Sequence, residues 1–379
     1  MTLQEIPSSQ RVIQQGEDGK LYLVDGAAVP ALPPGYVLVK TSAVALNPSD
    51  NKIATRFPIL GARVGTDFCG TVSRVADGDC TAASLRPGDV VCGAAFCFAA
   101  EHRLVNGAFA EYVRTHASLL LRPPLATTAY EHVRGAMNPA EAATLGTAIA
   151  TCIMAFWSHD ALGLAGTPDD PLVSEKPVYV LVYGGSTATG TIATQLLKLS
   201  GYEPIAICSP HNFVMVQRRG ASVVLDYASP DVVGEIKTQT GDRLKYALDC
   251  ISDGASVATC YEAIQRPGGR YASLEHVPDA QIAKRRAITA KFVLAAEMFG
   301  LDIKLGDAVY DRPGDPEKLA LGLRYMPVIQ RLLDSAKLQV HPVDIVRNGL
   351  EGVVDGMHAL AAGKVSGKEL VVVIDGNCS

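Results

Sequence analysis

Short apolar runs alternate with turn residues along the first third of the chain. Residues 21–24, 37–40, 70–75 and 107–113 each form such a run, and glycine, proline or polar residues bound them. No long segment with helical spacing separates these runs. Up to about Leu125 the pattern therefore predicts a compact, β-barrel-like domain of short strands.

From residue 138 the pattern changes to helical spacing. The alanine-rich stretch 139–157 predicts a helix that bridges two domains, and residues 162–176, rich in proline, glycine and aspartate, predict an exposed loop. Strand-like runs then alternate with helix-like segments to about Leu305, which is typical of a doubly wound parallel sheet. The tail is expected to contain helices at 316–333 and 349–362 and a strand at 370–374 that pairs back into the first domain.

The strand-turn-helix unit at residues 177–202 is the most informative stretch. A β-branched apolar run is followed by a turn of small residues, and Ile192, Leu196 and Leu197 then recur at helical spacing. Such a turn lets the backbone N–H groups at a helix start approach a pyrophosphate, and Gly190 suits close packing of helix on strand. Because Thr187 and Ala188 depart from the G-x-G-x-x-G fingerprint, a plain turn without a ligand is the alternative.

The residues after the second strand of this unit indicate which dinucleotide is bound. An NAD site is expected to carry Asp or Glu about 20 residues beyond the turn, where it binds the ribose 2′-hydroxyl. This chain has Cys208-Ser209-Pro210-His211-Asn212 there, and Arg218 and Arg219 follow one helix later. The hydroxyl, amide, imidazole and guanidinium groups among these side chains accept a 2′-phosphate, whereas a carboxylate would repel it. We therefore expect NADPH rather than NADH.

Composition and charge narrow the class of protein. Apolar residues make up 48% of the 379 residues and charged residues 19%, which is typical of a globular chain. The net charge is −5 with scattered basic residues, so nothing resembles a nucleic-acid-binding stripe. Nine cysteines without a C-x-x-C pair indicate neither a disulfide framework nor a zinc knuckle. With no signal peptide and no apolar run near the ~18 residues of a membrane span, we expect a cytoplasmic protein without membrane or nucleic-acid partners.

Five motifs follow one another in order along the chain. They are Leu46-Asn47-Pro48-Ser49-Asp50, Gly65-Thr66-Asp67-Phe68-Cys69-Gly70, Arg86-Pro87-Gly88-Asp89, Gly107-Ala108-Phe109-Ala110-Glu111-Tyr112 and the small-residue turn. Together they resemble the medium-chain dehydrogenase/reductase superfamily, and the resemblance covers nearly the whole chain. It implies an α/β fold with a GroES-like β-barrel domain at residues 1–140 and 325–379. A Rossmann domain, a doubly wound parallel sheet that binds NADPH, is expected at residues 141–324.

The zinc alcohol dehydrogenases of this superfamily differ from the chain at two places. They carry His-Glu where this chain has Thr66-Asp67, and they contain a four-cysteine loop that is missing here. A Lewis-acid mechanism needs three protein ligands around an open-site metal, and no such trio is seen. We therefore expect no metal, as in the zinc-independent quinone and enoyl reductase branch.

Four further segments point to one group within that branch. They are residues 182–189, 208–213, 246–251 and 365–368, the first of which includes the departure from glycine at Thr187-Ala188. These segments resemble the trans-acting enoyl reductases of fungal highly reducing polyketide synthase pathways. The resemblance implies NADPH-dependent reduction of a polyketide enoyl thioester on the synthase's acyl carrier protein, and we expect a monomer rather than a homodimer. A stand-alone quinone or 2-alkenal reductase and a non-catalytic NADPH-binding partner of a synthase stay open as alternatives.

Two residues are expected to carry the catalysis. Enoyl reduction needs a hydride near the β-carbon, a donor at the thioester oxygen and a proton for the α-carbon. Lys52 is expected to stabilise the enolate or contact the nicotinamide ribose. Thr151 is implied by the resemblance to lie beside the nicotinamide. A solvated surface lysine and a threonine bonded within its own helical turn are the alternatives.

The expected cofactor contacts rest on the same resemblance. Tyr227 suits the adenosine phosphate and His211 the 2′-phosphate, with a half-buried strand-end tyrosine and an exposed turn histidine as alternatives. Asp249 is interpreted as a strand-end cap near the cofactor rather than an acid–base group. The complete set of expected cofactor contacts is Pro48, Ser49, Asp50, Gly185, Ser186, Thr187, Ala188, Thr189, Ser209, Pro210, His211, Asn212, Tyr227, Leu274, Glu275, Val365 and Ser366.

Apolar residues with a glycine at 292–302 predict a wall for a growing acyl chain. The alternative for this segment is an edge strand that forms a dimer. Scattered arginines such as Arg63 and Arg114 are assigned no role, because such residues usually form a solvated face. The expected substrate pocket comprises Leu145, Gly146, Phe292, Met298, Phe299 and Gly300.

Overall fold

The structure, a computed structural model, describes residues 6–76, 85–98, 100–125 and 135–374. The chain forms two compact units: Met1–Thr147 with Ala296–Ser379, and Ala148–Ala295. Residues 296–324, which we expected in the Rossmann domain, group with the first unit. Within that unit the Lys304 N–H donates to the Phe98 carbonyl over 2.8 Å, and the Phe299 ring lies edge-on to Phe96 with centroids 5.5 Å apart.

Strands and helices follow one another along the chain and are numbered from its N-terminus. The strands are β1 (Ser9–Gln15), β2 (Leu21–Ala28), β3 (Tyr36–Ala45), β4 (Asp67–Val75), β5 (Val90–Ala94), β6 (Tyr112–His116), β7 (Tyr179–Tyr183), β8 (Glu203–Cys208), β9 (Val223–Asp226), β10 (Tyr246–Asp249), β11 (Gly269–Ser273), β12 (Ile288–Phe292), β13 (Val343–Val346) and β14 (Glu369–Val373). The helices are α1 (Pro48–Arg56), α2 (Ala100–Arg103), α3 (Pro139–Ala142), α4 (Leu145–Trp157), α5 (Ala188–Leu199), α6 (Phe213–Arg218), α7 (Val232–Thr240), α8 (Gly254–Ala263), α9 (Asp279–Ile282), α10 (Pro316–Asp334) and α11 (Glu351–Ala361).

The first unit is built around β3, the longest strand. One edge of β3 pairs with β4, and the other edge pairs with β6 along Tyr36–Lys40 and with β14 along Ala43–Ala45, all antiparallel. The sheet continues to β13 beyond β14 and to β5 beyond β4, while β1 and β2 form a separate antiparallel pair. The return of the closing strand to the first domain is therefore confirmed.

The second unit is a six-stranded sheet in the order β12-β11-β10-β7-β8-β9, with every pair parallel. From β7 the chain builds outward through β8 to β9, then crosses back to β10 on the other side of β7 and builds outward to β12. The strand order thus reverses between β7 and β10, and ligands of such sheets bind outside the carboxyl ends of the strands at this point. The apolar side chains of β7 and β8 are buried, as expected for a parallel sheet that is covered on both faces. The predicted doubly wound sheet is confirmed.

The predicted bridging helix is α4, which begins in the first unit and continues in the second. The helical stretch Pro139–Trp157 is long and apolar enough to cross a membrane by composition, but 89% of its most apolar window is buried inside the protein. A core helix of a soluble protein meets the same criterion, so this stretch is weak evidence for a membrane span.

Two local predictions differ from the structure. The strand predicted at 107–113 begins only at Tyr112. The N–H groups of Ala108 and Phe109 donate to the carbonyls of Gly65 and Val64. Because those two residues belong to no strand, these hydrogen bonds do not lengthen the sheet. The loop at 162–176 is mainly exposed only from Asp169 onward. In its first half Leu162, Leu164, Gly166 and Thr167 are buried between exposed residues, and the Trp157 indole donates to the Gly166 carbonyl over 3.0 Å.

Candidate active site

The turn between β7 and α5 has the backbone geometry of a phosphate-binding turn. Gly184 has φ +82°, and the N–H groups of Gly184 and Gly185 donate to the Ile207 carbonyl at the end of β8. A Cβ at Gly190 would lie 2.2 Å from the Gly184 carbonyl oxygen, so only glycine lets the helix approach the turn this closely. The turn therefore presents the N-terminus of α5, with its unpaired N–H groups, at the carboxyl end of β7.

Thr187, which stands where many sequences have glycine, is the N-cap of α5. Its hydroxyl donates to the Gly184 carbonyl over 2.8 Å and accepts the Gly190 N–H over 3.0 Å. Ser186, Thr187, Ala188 and Thr189 are half-buried rather than buried, so the turn is accessible from outside the unit. The departure from glycine thus supplies a helix cap. These residues fit a dinucleotide pyrophosphate.

The other expected cofactor contacts in the second unit also follow the carboxyl ends of strands. Ser209, Pro210, His211 and Asn212 form a short 3₁₀ turn directly after β8, in which His211 is exposed and Asn212 buried. Tyr227 follows β9 with 53% of its surface exposed, and Leu274 and Glu275 follow β11. Since the carboxyl ends of parallel strands meet at one edge, the structure brings these residues to the same edge as the turn.

Asp249, at the end of β10, organises this edge from within. It is fully buried, and its carboxylate accepts the N–H groups of Ile251 and Ser252 as well as the hydroxyls of Ser256 and Tyr271, at 2.7–3.0 Å. Burial raises the pKa of Asp249, and the four hydrogen bonds oppose that shift. All its acceptor positions are directed at protein groups, as expected of a strand-end cap.

In the first unit, α1 carries Lys52. The helix begins at the N-cap Asn47, whose backbone N–H donates to the Asp50 carboxylate over 2.9 Å, and Pro48 occupies its first position. Pro48 is exposed, while Ser49 and Lys52 are half-buried. Asp50, which we expected to contact the cofactor, is 2% exposed, and its two carboxylate oxygens accept hydrogen bonds from Asn47 and Thr66. Its side chain therefore caps α1.

A buried polar cluster that the sequence reasoning missed surrounds the start of α1. Asp67, at the start of β4, is fully buried and accepts the Asn47 amide over 3.0 Å. It also accepts both the N–H and the hydroxyl of Thr147, each over 2.7 Å. The Thr66 hydroxyl lies 3.3 Å from the Thr147 hydroxyl and donates to Asp50 over 3.2 Å. Two carboxyl groups thus share one network of neutral donors.

The protonation of this cluster is governed by burial. Burial raises the pKa of Asp50 to about 8 and that of Asp67 to about 7, although hydrogen bonds pull both values down. Glu369, 6% exposed at the start of β14, has its pKa raised well above the usual range by burial and by repulsion from Asp67 and Asp50. Its Oε2 atom has no hydrogen-bond partner in the part of the chain that the structure describes. Near neutral pH the cluster therefore holds protons that exposed carboxyl groups would have released.

The expected substrate-pocket residues divide between the two units. In the first unit Leu145, Met298 and Phe299 are buried, and Phe299 lines a pocket of about 240 Å³ together with Tyr36 and Phe96. In the second unit Phe292 ends β12, an edge strand of the sheet. A strand that forms a dimer would also need to lie at an edge of the sheet. The acyl-chain wall and the dimer-forming strand therefore both stay predictions.

Three further expected contacts have identifiable local surroundings. Gly146 allows close packing, because a Cβ there would lie 2.4 Å from the Gly93 backbone and 2.6 Å from the Asp67 Oδ1 atom. Val365 packs against the core of the first unit, whereas Ser366 is exposed. Thr151 is 5% exposed and lies one turn after Thr147 on α4.

Within the described ranges, no group of three or more His, Cys, Asp or Glu side chains is placed to hold a metal ion. The buried cluster of the first unit is instead completed by amide and hydroxyl groups. Its chemistry is that of hydrogen bonding between neutral donors and carboxyl oxygens.

Family models match both parts of the chain. The model described as alcohol dehydrogenase GroES-like domain matches residues 33–124, and the model described as zinc-binding dehydrogenase matches residues 188–291. Over 373 residues, 98% of this chain and 100% of the relative, the chain is 57% identical to trans-enoyl reductase TwmE of Talaromyces wortmannii. The chain belongs to the trans-enoyl reductases. The family inferred from the motifs is therefore confirmed.

Solved structures share the fold of this trans-enoyl reductase at low sequence identity. A putative zinc-dependent alcohol dehydrogenase protein from Rhizobium etli superimposes with a TM-score of 0.74 at 23% identity, covering 98% of this chain and 100% of its own. The mycobacterial protein Rv1454c, solved in complex with NADPH, gives a TM-score of 0.65 at 20% identity and covers 96% and 100% of the two chains. The combination of a GroES-like and a Rossmann domain is thereby confirmed.

Proposed function

We propose that this trans-enoyl reductase reduces the α,β double bond of a polyketide enoyl thioester, carried on the acyl carrier protein of a highly reducing polyketide synthase. The observation that carries the proposal is the 57% identity, over 98% of this chain, to a protein named trans-enoyl reductase. The nucleotide turn at the centre of the parallel sheet supports it, because that is where a reductase of this fold holds its cofactor.

The cofactor that we propose is NADPH, which supplies a hydride when bound. The segment after β8, Ser209-Pro210-His211-Asn212, contains no carboxylate to repel a 2′-phosphate. The neighbouring strand ends in Asp226, whose carboxylate accepts the N–H of Ala228 over 2.9 Å in its own loop. Gly185, Ser186 and the N-terminus of α5 are proposed to hold the pyrophosphate through backbone N–H groups.

Lys52 and Thr151 are the residues that we propose for the chemistry. As hydride reaches the β-carbon, negative charge develops on the thioester oxygen, and the Lys52 ammonium would stabilise it. A proton from water or from a group near Lys52 and Thr151 would then reach the α-carbon and complete the reduction. The Thr151 hydroxyl would donate a hydrogen bond that orients the reacting groups. Half-burial of Lys52 and burial of Thr151 support these roles, since water weakens such interactions less at buried positions.

The remaining parts of the proposal concern the substrate and the setting. Phe292, Met298, Phe299 and Gly300, with Leu145 and Gly146, are proposed to contact the acyl chain. We propose a monomer acting in the cytoplasm, with the carrier protein of the synthase as its partner.

The test is NADPH oxidation with a crotonyl or α-methylcrotonyl thioester of pantetheine or coenzyme A, read by absorbance and by a mass gain of two hydrogens on the acyl group. Lys52→Ala should lower kcat about 10²–10³-fold, the range for loss of one oxyanion donor. Thr151→Val should lower kcat about tenfold, and Thr151→Ser should restore most of it. Lys20→Ala and Thr238→Val, at exposed positions of the two units, serve as matched controls.

The assay also separates the proposal from its alternatives. Turnover of simple quinones or free 2-alkenals, without turnover of any enoyl thioester, would favour a stand-alone reductase. Tight NADPH binding without turnover of a free or carrier-bound thioester would favour a non-catalytic partner of the synthase. A preference for NADH over NADPH in kcat/KM would contradict the proposed cofactor.

A further inference from the structure

The buried carboxylate of Asp67 accepts hydrogen bonds from the starts of two helices. Its Oδ2 atom accepts the side-chain amide of Asn47, the N-cap of α1. Its Oδ1 atom accepts the backbone N–H and the hydroxyl of Thr147, the third residue of α4. The first N–H groups of a helix have no partner within it, so Asp67 satisfies one of them at α4.

These two helices are the ones that carry the proposed catalytic residues. Lys52 lies on α1, five residues after Asn47, and Thr151 lies on α4, one turn after Thr147. We propose that Asp67 is a positioning residue for enoyl reduction, whose carboxylate ties the start of α1 to the start of α4. The inference rests on the proposed function, because it takes Lys52 and Thr151 as the catalytic residues.

An ionised aspartate suits this position because it accepts on both sides. Replacing Asp67 with Asn turns one of its oxygens into an NH₂ group, which then faces a donor on either Asn47 or Thr147 whichever way the amide is turned. A longer acid does not fit either, because Oδ1 is packed against Gly146, where even a Cβ would lie 2.6 Å away. Aspartate is thus the side chain whose length and acceptors match both helix starts.

The main experiment measures kcat and the Kd for NADPH of Asp67→Asn, Thr147→Val and Thr147→Ser. Asp67→Asn should lower kcat 10–100-fold, since small misplacements of reacting groups carry losses of this size, while the Kd for NADPH should change by less than about threefold. Thr147→Val keeps the N–H but loses the hydroxyl, so it should lower kcat less than Asp67→Asn does. Thr147→Ser keeps both groups and should have a kcat close to that of the wild type.

A matched variant separates positioning from a general loss of stability. Thr41 in β3 is buried, and its hydroxyl donates to the Ala110 carbonyl in the same unit. Thr41→Val should lower the melting temperature about as much as Thr147→Val but leave kcat unchanged. A kcat of Asp67→Asn within twofold of wild type, or an equal kcat loss in Thr41→Val, would overturn the inference.

Hydrogen exchange distinguishes failure of the inference from failure of the proposed function. If the wild type reduces no thioester, the proposed function is wrong, and the physical link is still measurable. Faster hydrogen exchange at the first turn of α4 in Asp67→Asn, with unchanged exchange in the turn before α5, would support the proposed link between α1 and α4 through Asp67. Unchanged exchange at the first turn of α4 would overturn the inference regardless of the activity of the wild type.

Discussion

Replacing Asp50 with Asn should make the first unit less sensitive to pH. Burial raises the pKa of Asp50 to about 8, whereas an aspartate in the unfolded chain titrates near 4. Between these two values the folded state holds a proton that the unfolded chain has released. The free energy of unfolding therefore falls as pH rises through this window, by about 1.4 kcal/mol per pH unit for this one group.

The magnitude follows from the width of the pH interval. Between pH 5 and pH 7 the free energy of unfolding of the wild type should fall by about 3 kcal/mol because of Asp50. Asp50→Asn should not show this loss, because its amide does not ionise. The amide oxygen can still accept the Asn47 N–H, and its NH₂ group can donate to the Thr66 hydroxyl. At about 2–4 °C per kcal/mol, the melting temperature of the variant relative to wild type should rise by roughly 6–12 °C over this interval.

The assay is scanning calorimetry of both proteins from pH 5 to pH 9, since two compact units need not unfold in one transition. Asp67, with a pKa of about 7, and Glu369 face Asp50 and titrate in both proteins. Between pH 5 and pH 7 Asp50 is neutral and exerts no charge repulsion on them, so over this interval the comparison isolates the Asp50 contribution. Asp25→Asn, at an exposed position of β2, makes the same substitution outside the buried cluster and serves as the control. Parallel melting curves for Asp50→Asn and wild type between pH 5 and pH 7 would refute a neutral, buried Asp50.

Two further predictions concern the second unit. Gly190→Ala should weaken NADPH binding at least tenfold in a fluorescence titration, because the added Cβ would lie 2.2 Å from the Gly184 carbonyl oxygen. Gly254→Ala, where nothing lies within 4 Å of the added Cβ, should bind normally, and equal affinities in all three proteins would contradict the turn as the site. Tyr271→Phe should lower the free energy of unfolding in urea by about 1–3 kcal/mol, because it removes a donor to the buried Asp249. An equal loss in Tyr179→Phe, in β7 of the same sheet, would contradict this role.

The nucleotide-binding unit was predictable because its signals are local. The strand, the small-residue turn and the helix at residues 177–202 follow one another directly, and each has its own periodicity. The strand β1 and the short strand β13 were not predicted. β13 has only four residues and most of β1 is polar in sequence, so neither shows the apolar run by which the other strands were predicted. The predicted start of β6 was wrong because the residues before it donate hydrogen bonds to Val64 and Gly65, which belong to no strand.

The buried carboxyl cluster depends on pairing across 16 to 80 residues of sequence, which periodicity does not report. Two weak signals were present. Asn47 followed three residues later by Asp50 is a capping-box pattern, and the pair Thr66-Asp67 interrupts an otherwise apolar segment. A polar pair inside a buried strand needs partners, and the least costly partners are the unpaired N–H groups of helix starts. On this physical argument Asp67 belongs with α1 and α4, the helices on which Lys52 and Thr151 lie.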